Sequence, residues 1–358
     1  MELLYKPDFD DAAQRWQAFW AGEVLDRPPT VIIVRREGAP ERPGKRQLAG
    51  RDGNFEAVLD SFEQWAETMY FAGEAVPDFL GGLGPDQFAA FMGGHLEFSE
   101  EHDTSWVLPS VDDWADIMPL RIDPNNKYWR HVLRLMEAAS QRAPGKFLVA
   151  TIDMHSNLDA LAALRGYEQF CLDMIDQPEV VDQVVAQVIA LYEVVYNGVY
   201  EAASMQRVGW TTSWGGLAFP GKGEMMQCDF SALMSPKMAD RWLIPAIEAE
   251  SEFLDYSFYH LDGPDALVHL PALLSLPRLH GIQWVPGGRL EVERPQHTWV
   301  DLFQRIQAAG KAVEVWGDAD AIKWVHPQLK PNLVYYVISG IKSPTEADEM
   351  LDWLVKHT

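Results

Sequence analysis

The segment His260-Leu261-Asp262-Gly263 holds the residues best placed for chemistry. In extended backbone, residues i and i+2 project to the same side, so this imidazole and carboxylate share one small volume. Such a pair can bind a divalent metal, move a proton, or hydrogen-bond structurally at a strand end. All three readings stay open. Asp153 and His155 repeat the i, i+2 relation in Asp153-Met154-His155-Ser156-Asn157-Leu158-Asp159, where Ser156 or Asn157 also suits a helix N-cap. Cys228-Asp229 offers a thiol and an acid, although a lone cysteine more commonly packs as a small hydrophobe. Glu314 alternates with Val313 and Val315, so it is expected to face an interior, where a carboxylate needs a partner or a function.

Aromatic and polar groups accompany these residues. Trp210, Trp214, Trp284 and Trp316 could stack on a flat substrate or pack as core. Gln283 precedes Trp284, and Arg35-Arg36 could grip a carboxylate. The candidate substrate contacts are therefore Arg35, Arg36, His155, Asn157, Trp210, Trp214, Gln283, Trp284 and Trp316.

Positioning these groups requires a regular scaffold. Short apolar strands are expected at 30–34, within 77–98, and at 146–153, 207–214, 257–262, 281–287, 312–317 and 334–340, with helices between most of them. Residues 10–22 predict an N-terminal helix capped by Asp10 or Asp11, with Trp16, Phe19 and Trp20 on one face. Residues 37–53 and the segment GKGEMMQCDFSALMSP read as loops. Strand–helix repetition demands right-handed crossovers and a parallel sheet. Eight such strands predict an α/β fold, a (β/α)8 TIM barrel with an N-terminal helical extension, formed by residues 1–358 as one domain. No GxGxxG or GxxxxGK[ST] supports an open nucleotide-binding sheet.

Composition narrows the partners. The 358 residues carry 29 basic and 53 acidic side chains, a formal charge of −24. That excess disfavours nucleic acid and anionic membranes. Two cysteines cannot build a disulfide framework, and no apolar run approaches the ~18 residues of a membrane span. With no signal-peptide pattern at the start, a cytoplasmic protein acting on a small molecule is expected.

The chain resembles the uroporphyrinogen decarboxylase superfamily. The likeness lies in WAGEVLDRPP, ALRGYEQFCLDMIDQPEVV, CDFSALMSPKMADRWLIPAI, YHLDGPDALVHLPALLSLPRLHGIQWVPGG and SGIKSPTEADEML, in that order. It implies a barrel with a deep cleft at the C-terminal strand ends. The decarboxylases' N-terminal arginine motif is replaced here by VRREGAPERPG, and Asp86 is the nearest match to their catalytic aspartate. The corrinoid-linked methyltransferases of the superfamily hold zinc through His-x-Cys and a distant Cys. His260 matches that histidine, Asp262 stands where the first cysteine would, and 339–341 holds no cysteine.

The resemblance thus implies a methyltransferase linked to corrinoid one-carbon transfer, with a remodelled site. Its catalytic residues would be His260, Asp262, Asp229 and Asp153. Zinc or another divalent metal would sit on His260, Asp262, Glu314 and Cys228, and a partner protein would supply the corrinoid. A homodimer is expected by analogy. The alternatives are a metal-free decarboxylase or lyase on a small carboxylated or aromatic substrate, and a non-catalytic barrel binding a corrinoid or tetrapyrrole.

Overall fold

The computed structural model describes residues 1–44, 48, 50–99 and 101–358. Its strands are β1 Thr30–Arg35, β2 Met69–Gly73, β3 Asp78–Phe79, β4 His95–Ser99, β5 Thr104–Leu108, β6 Leu148–Val149, β7 Thr211–Thr212, β8 Ala218–Phe219, β9 Gly223–Gln227, β10 Tyr256–Asp262, β11 Gly281–Val285, β12 Ala312–Gly317 and β13 Val334–Ile338. The central sheet runs β2-β1-β13-β12-β11-β10-β9, parallel throughout except for β2 at its edge. The chain is thus mixed α/β, with a parallel central sheet compatible with a TIM-barrel-like fold.

Among the described residues the ladder does not close. β3 and β6 form a separate parallel pair, and Thr151 donates to the carbonyl of Thr212 on the β7–β8 hairpin rather than to β9. That hairpin occupies the stretch expected to supply one long strand at 207–214. The strand contributed to the sheet is instead β9, in a segment read as loop. GEMMQ lacks β-branched residues and follows Pro220-Gly221-Lys222, which hides it. Its pairing with β10 and full burial override that weak local preference. The expected strand at 146–153 shortens to Leu148–Val149.

Parallel pairing puts register partners on the same face. Met225, Phe258, Gly281 and Ala312 form one such row across β9 to β12. A Cβ on Gly281 would lie 2.0 Å from the Phe258 ring, so this position must be glycine for the ring to fit. One side-chain pair nearer the C-terminal ends than that first row, Gln227, His260, Gln283, Glu314 and Tyr335 form the next row, which ends β9 but lies near the start of β13.

The N-terminal helix Phe9–Trp20 packs against β8, β10 and β13. Its apolar face carries Phe9, Trp16 and Phe19 at helical spacing. Trp16 and Phe19 meet Tyr335 edge-on at 5.7 and 6.0 Å, and Trp20 reaches Phe219 and Phe258. The indole N–H of Trp20 donates to the Ala218 carbonyl at 2.8 Å. Asp8 occupies the N-cap position without a side-chain cap bond, and Asp10 and Asp11 fall in the first turn, where they complement the helix dipole. Buried apolar residues from Leu3 to Leu354 join one continuous core. No helix among the described residues is long and apolar enough to cross a membrane.

Besides Glu74, which is paired with Arg27, three glutamates are buried within this core. Burial pushes Glu224 up to about 8, against hydrogen bonds from Ser213 and Thr151. Burial likewise raises Glu250 and Glu314 to about 7 each, against bonds from Ser156 and Asn157 and from Tyr335 and Gln283 respectively.

Two predictions follow from this packing. Gly281→Ala should lower the unfolding free energy by about 1–3 kcal/mol through overpacking, read by urea denaturation; an unchanged midpoint would contradict the close approach. The glutamates hold protons in the folded chain that the unfolded chain has lost above about pH 4.3, so stability should fall as pH rises toward 8. Burial lowers His131, His280 and His326, which act in the opposite sense only up to about pH 6.5. The decline should therefore be clearest from pH 6.5 to 8, and flatter with all three glutamates changed to Gln. A urea midpoint that climbs over that interval would refute it.

Candidate functional site

The strand register brings the first cluster together. His260 and Asp262 share one face of β10, and Asp229 lies just past the end of β9. One ligand-capable atom from each of Asp229, His260 and Asp262 lies within 4.8 Å of the others. Asp229 is exposed and the other two are half-buried. Asp262 Oδ1 is buried with no hydrogen-bond partner. Burial raises the Asp262 carboxyl above its usual range; His260 opposes that shift and Asp229 adds to it. A buried carboxylate oxygen without a donor is costly, and a cation is one way to satisfy it.

His260 is oriented from two sides. Its Nδ1 lies 2.5 Å from Gln283 Oε1, which leaves Nε2 without that partner. The Trp214 indole meets the imidazole edge-on, with ring centroids 5.1 Å apart. Tyr335 donates its hydroxyl to Glu314 and also lies 3.2 Å from the Gly215 carbonyl, beside Trp214.

Asp229 is placed through its backbone. Asp159 accepts from the N–H groups of Asp229 at 3.0 Å and Phe230 at 2.8 Å, a carboxylate clasping a 3-10 turn. Burial raises Asp159 to about 6; His155 counteracts this, and Asp229 reinforces it. His155 sits between carboxylates, with Nε2 3.7 Å from Asp153 and Nδ1 3.8 Å from Asp159. Burial opposes its protonation, but Asp153, Asp159, Asp229 and Asp86 outweigh that and hold its pKa above the usual imidazole value. Gln227 donates to Asp153 Oδ1 at 2.6 Å, tying this second cluster to β9. Asp86 accepts from the Val107 N–H at 2.8 Å; burial raises its carboxyl, and charges on His155, Asp153 and Asp229 reach it.

Several expected site residues lie elsewhere. Trp284 is a correction: it is fully buried on the opposite face from Gln283, against Trp299 at 5.1 Å, because neighbouring strand residues point to opposite sides. Asn157 is another correction. It is fully buried, adopts a left-handed backbone at φ 46°, and donates to the Gln227 carbonyl at 3.0 Å and to Glu250 at 3.1 Å, which makes it a clamp between elements. Trp210 packs on Phe9 at 5.6 Å, against the N-terminal helix rather than at His260.

Glu314 and Cys228 stand outside the three-residue group. Glu314 is engaged with Gln283 and Tyr335. The Cys228 thiol is buried, and burial pushes it well above the usual thiol range, so it does not supply a ready thiolate. Trp316 lies two residues beyond Glu314, on the same face of β12 near its end. Arg35 is half-exposed, 3.8 Å from Glu41, and Arg36 lies over the Tyr70 ring. Both line a hollow of about 800 Å³ with Arg42 and Lys342, apart from the histidine–aspartate cluster. A second cavity of about 490 Å³ lies between Leu48, Trp65 and Phe79.

Sequence reasoning passed over Gln227 and Tyr335. Their signal was available, since each occupies the register position of His260 on its own strand, but only the pairing reveals it.

Comparison with known proteins adds the fold. No family model and no curated protein matches the sequence. Among solved structures, a methyltransferase from Methanosarcina mazei is similar over 96% of this chain and 98% of its own, at 12% identity and a TM-score of 0.59. At that identity the likeness is one of architecture.

Proposed function

We infer that this protein is a methyltransferase of the uroporphyrinogen decarboxylase-like type, with a divalent cation held by Asp229, His260 and Asp262. The observation that carries the reading is the convergence of these three side chains, one of them with an orphaned carboxylate oxygen. The full-length architectural likeness to a methyltransferase supports it. One imidazole and two carboxylates fit zinc or a similar divalent ion, and with no sulfur donor the set is harder than a thiolate site. When bound, the ion would act as a Lewis acid that favours the deprotonated, nucleophilic form of the methyl acceptor.

The chain's own residues supply the rest. Gln283 holds the His260 ring in place, and Trp214 covers one edge of it and keeps water from that side. Asp159 fixes the turn that presents Asp229. His155, whose protonated form its carboxylate neighbours favour, is placed to donate a proton on the Asp153 side of the cluster. The methyl donor suggested by the sequence resemblance is a corrinoid carried by a partner protein.

Two measurements test this. Purified protein should hold about one Zn²⁺ or Co²⁺ per chain, and Asp229→Asn, Asp262→Asn or His260→Ala should each weaken binding at least about tenfold, by competition with a chelator. Methyl loss from methylcobalamin to a thiol, followed by absorbance, should require the loaded wild-type protein. Metal content indifferent to all three substitutions, or demethylation that persists in His260→Ala, would defeat the reading.

A further inference from the structure

The row of polar residues behind His260 has a direction. Gln283 Nε2 donates to Glu314 Oε2 at 2.8 Å, and the Tyr335 hydroxyl donates to the same oxygen. An amide side chain has one donor end and one acceptor end. Because Glu314 Oε2 accepts from both neighbours, it admits only the donor end of Gln283. The acceptor end, Oε1, is thereby turned toward His260. Only a protonated ring nitrogen can meet it favourably, since two acceptors at 2.5 Å would repel.

We propose that Glu314 and Gln283 are positioning residues that lock His260 as the Nδ1–H tautomer, leaving the Nε2 lone pair open toward Asp229 and Asp262. All the partners are buried or half-buried: Tyr335, Glu314 and Gln283 expose 0%, 4% and 6% of their surface. Water therefore offers little alternative to this arrangement, and above about pH 7, where Glu314 is ionised, its polarity is set by the carboxylate at the far end. Glu314 thus acts on the candidate metal centre through two intervening side chains rather than as a ligand. The consequence for metal affinity rests on the function inferred above; the tautomer itself does not.

The test separates the two. With ¹⁵N-labelled histidine, long-range ¹H–¹⁵N correlation on the metal-free protein reads each imidazole tautomer, and His260→Ala identifies the signal. Wild type should show Nδ1–H. Glu314→Gln keeps the shape of residue 314 but adds a donor, which lets Gln283 turn over; Gln283→Met removes the acceptor. Both should populate the Nε2–H tautomer and weaken Co²⁺ binding about ten- to a hundredfold. Tyr335→Phe leaves Gln283 oriented and should keep Nδ1–H. A His260 signal that stays Nδ1–H in both Glu314→Gln and Gln283→Met would overturn the proposal, as would a changed tautomer with unchanged Co²⁺ affinity. If Gln283→Met does not fold, the near-isosteric Glu314→Gln decides alone. Should the wild type bind no Co²⁺, the metal reading fails, while the tautomer measurement still judges the relay.

Discussion

A buried polar row that must satisfy itself is the constraint on which the candidate site depends. His260, Gln283, Glu314 and Tyr335 come from four consecutive parallel strands and meet because those strands are in register. Each would be costly to bury alone. Together they form a chain of hydrogen bonds in which one neighbour's donor meets the next one's acceptor. A slip of one residue on any of these strands would turn its polar side chain to the opposite face and strand its partners. The row therefore ties strand order and register to the orientation of one imidazole.

Around that imidazole the local charge is strongly acidic. Asp86, Asp153, Asp159, Asp229 and Asp262 act on one another, with His155 and His260 among them. Such crowding is tolerated in two ways. Asp159 and Asp86 accept from backbone N–H groups, and His155 is shared between Asp153 and Asp159. Asp262 has neither kind of partner at Oδ1. The aspartates that hold the turn and the aspartate with an unpartnered oxygen are thus different residues.

Much of the site was legible in local spacing. The i, i+2 relation placed His260 with Asp262, and the alternation of Glu314 with valines correctly turned it inward. The same alternation separates Gln283 from Trp284, although residue type alone suits both to a substrate contact. Tryptophan is ambiguous between core and pocket, and only contact with Trp299 resolves it. Asn157 resembled a cap or a substrate contact, but its amide spans to Glu250 and Gln227, which no local pattern predicts. The methionine-rich β9 was invisible because its strand character comes from burial between neighbours rather than from its own residues.

The sequence by itself determined the alternating strands and helices, the acidic balance, and which strand carries the His–Asp pair. These follow from short-range periodicity and composition, which act within a few residues. The tertiary structure alone decided that Asp229 joins that pair, that Glu314 serves Gln283 and Tyr335, and that Trp284 and Asn157 belong to the framework. Those outcomes depend on register between strands and on which buried group finds a partner, and both are set by contacts between residues distant in the chain.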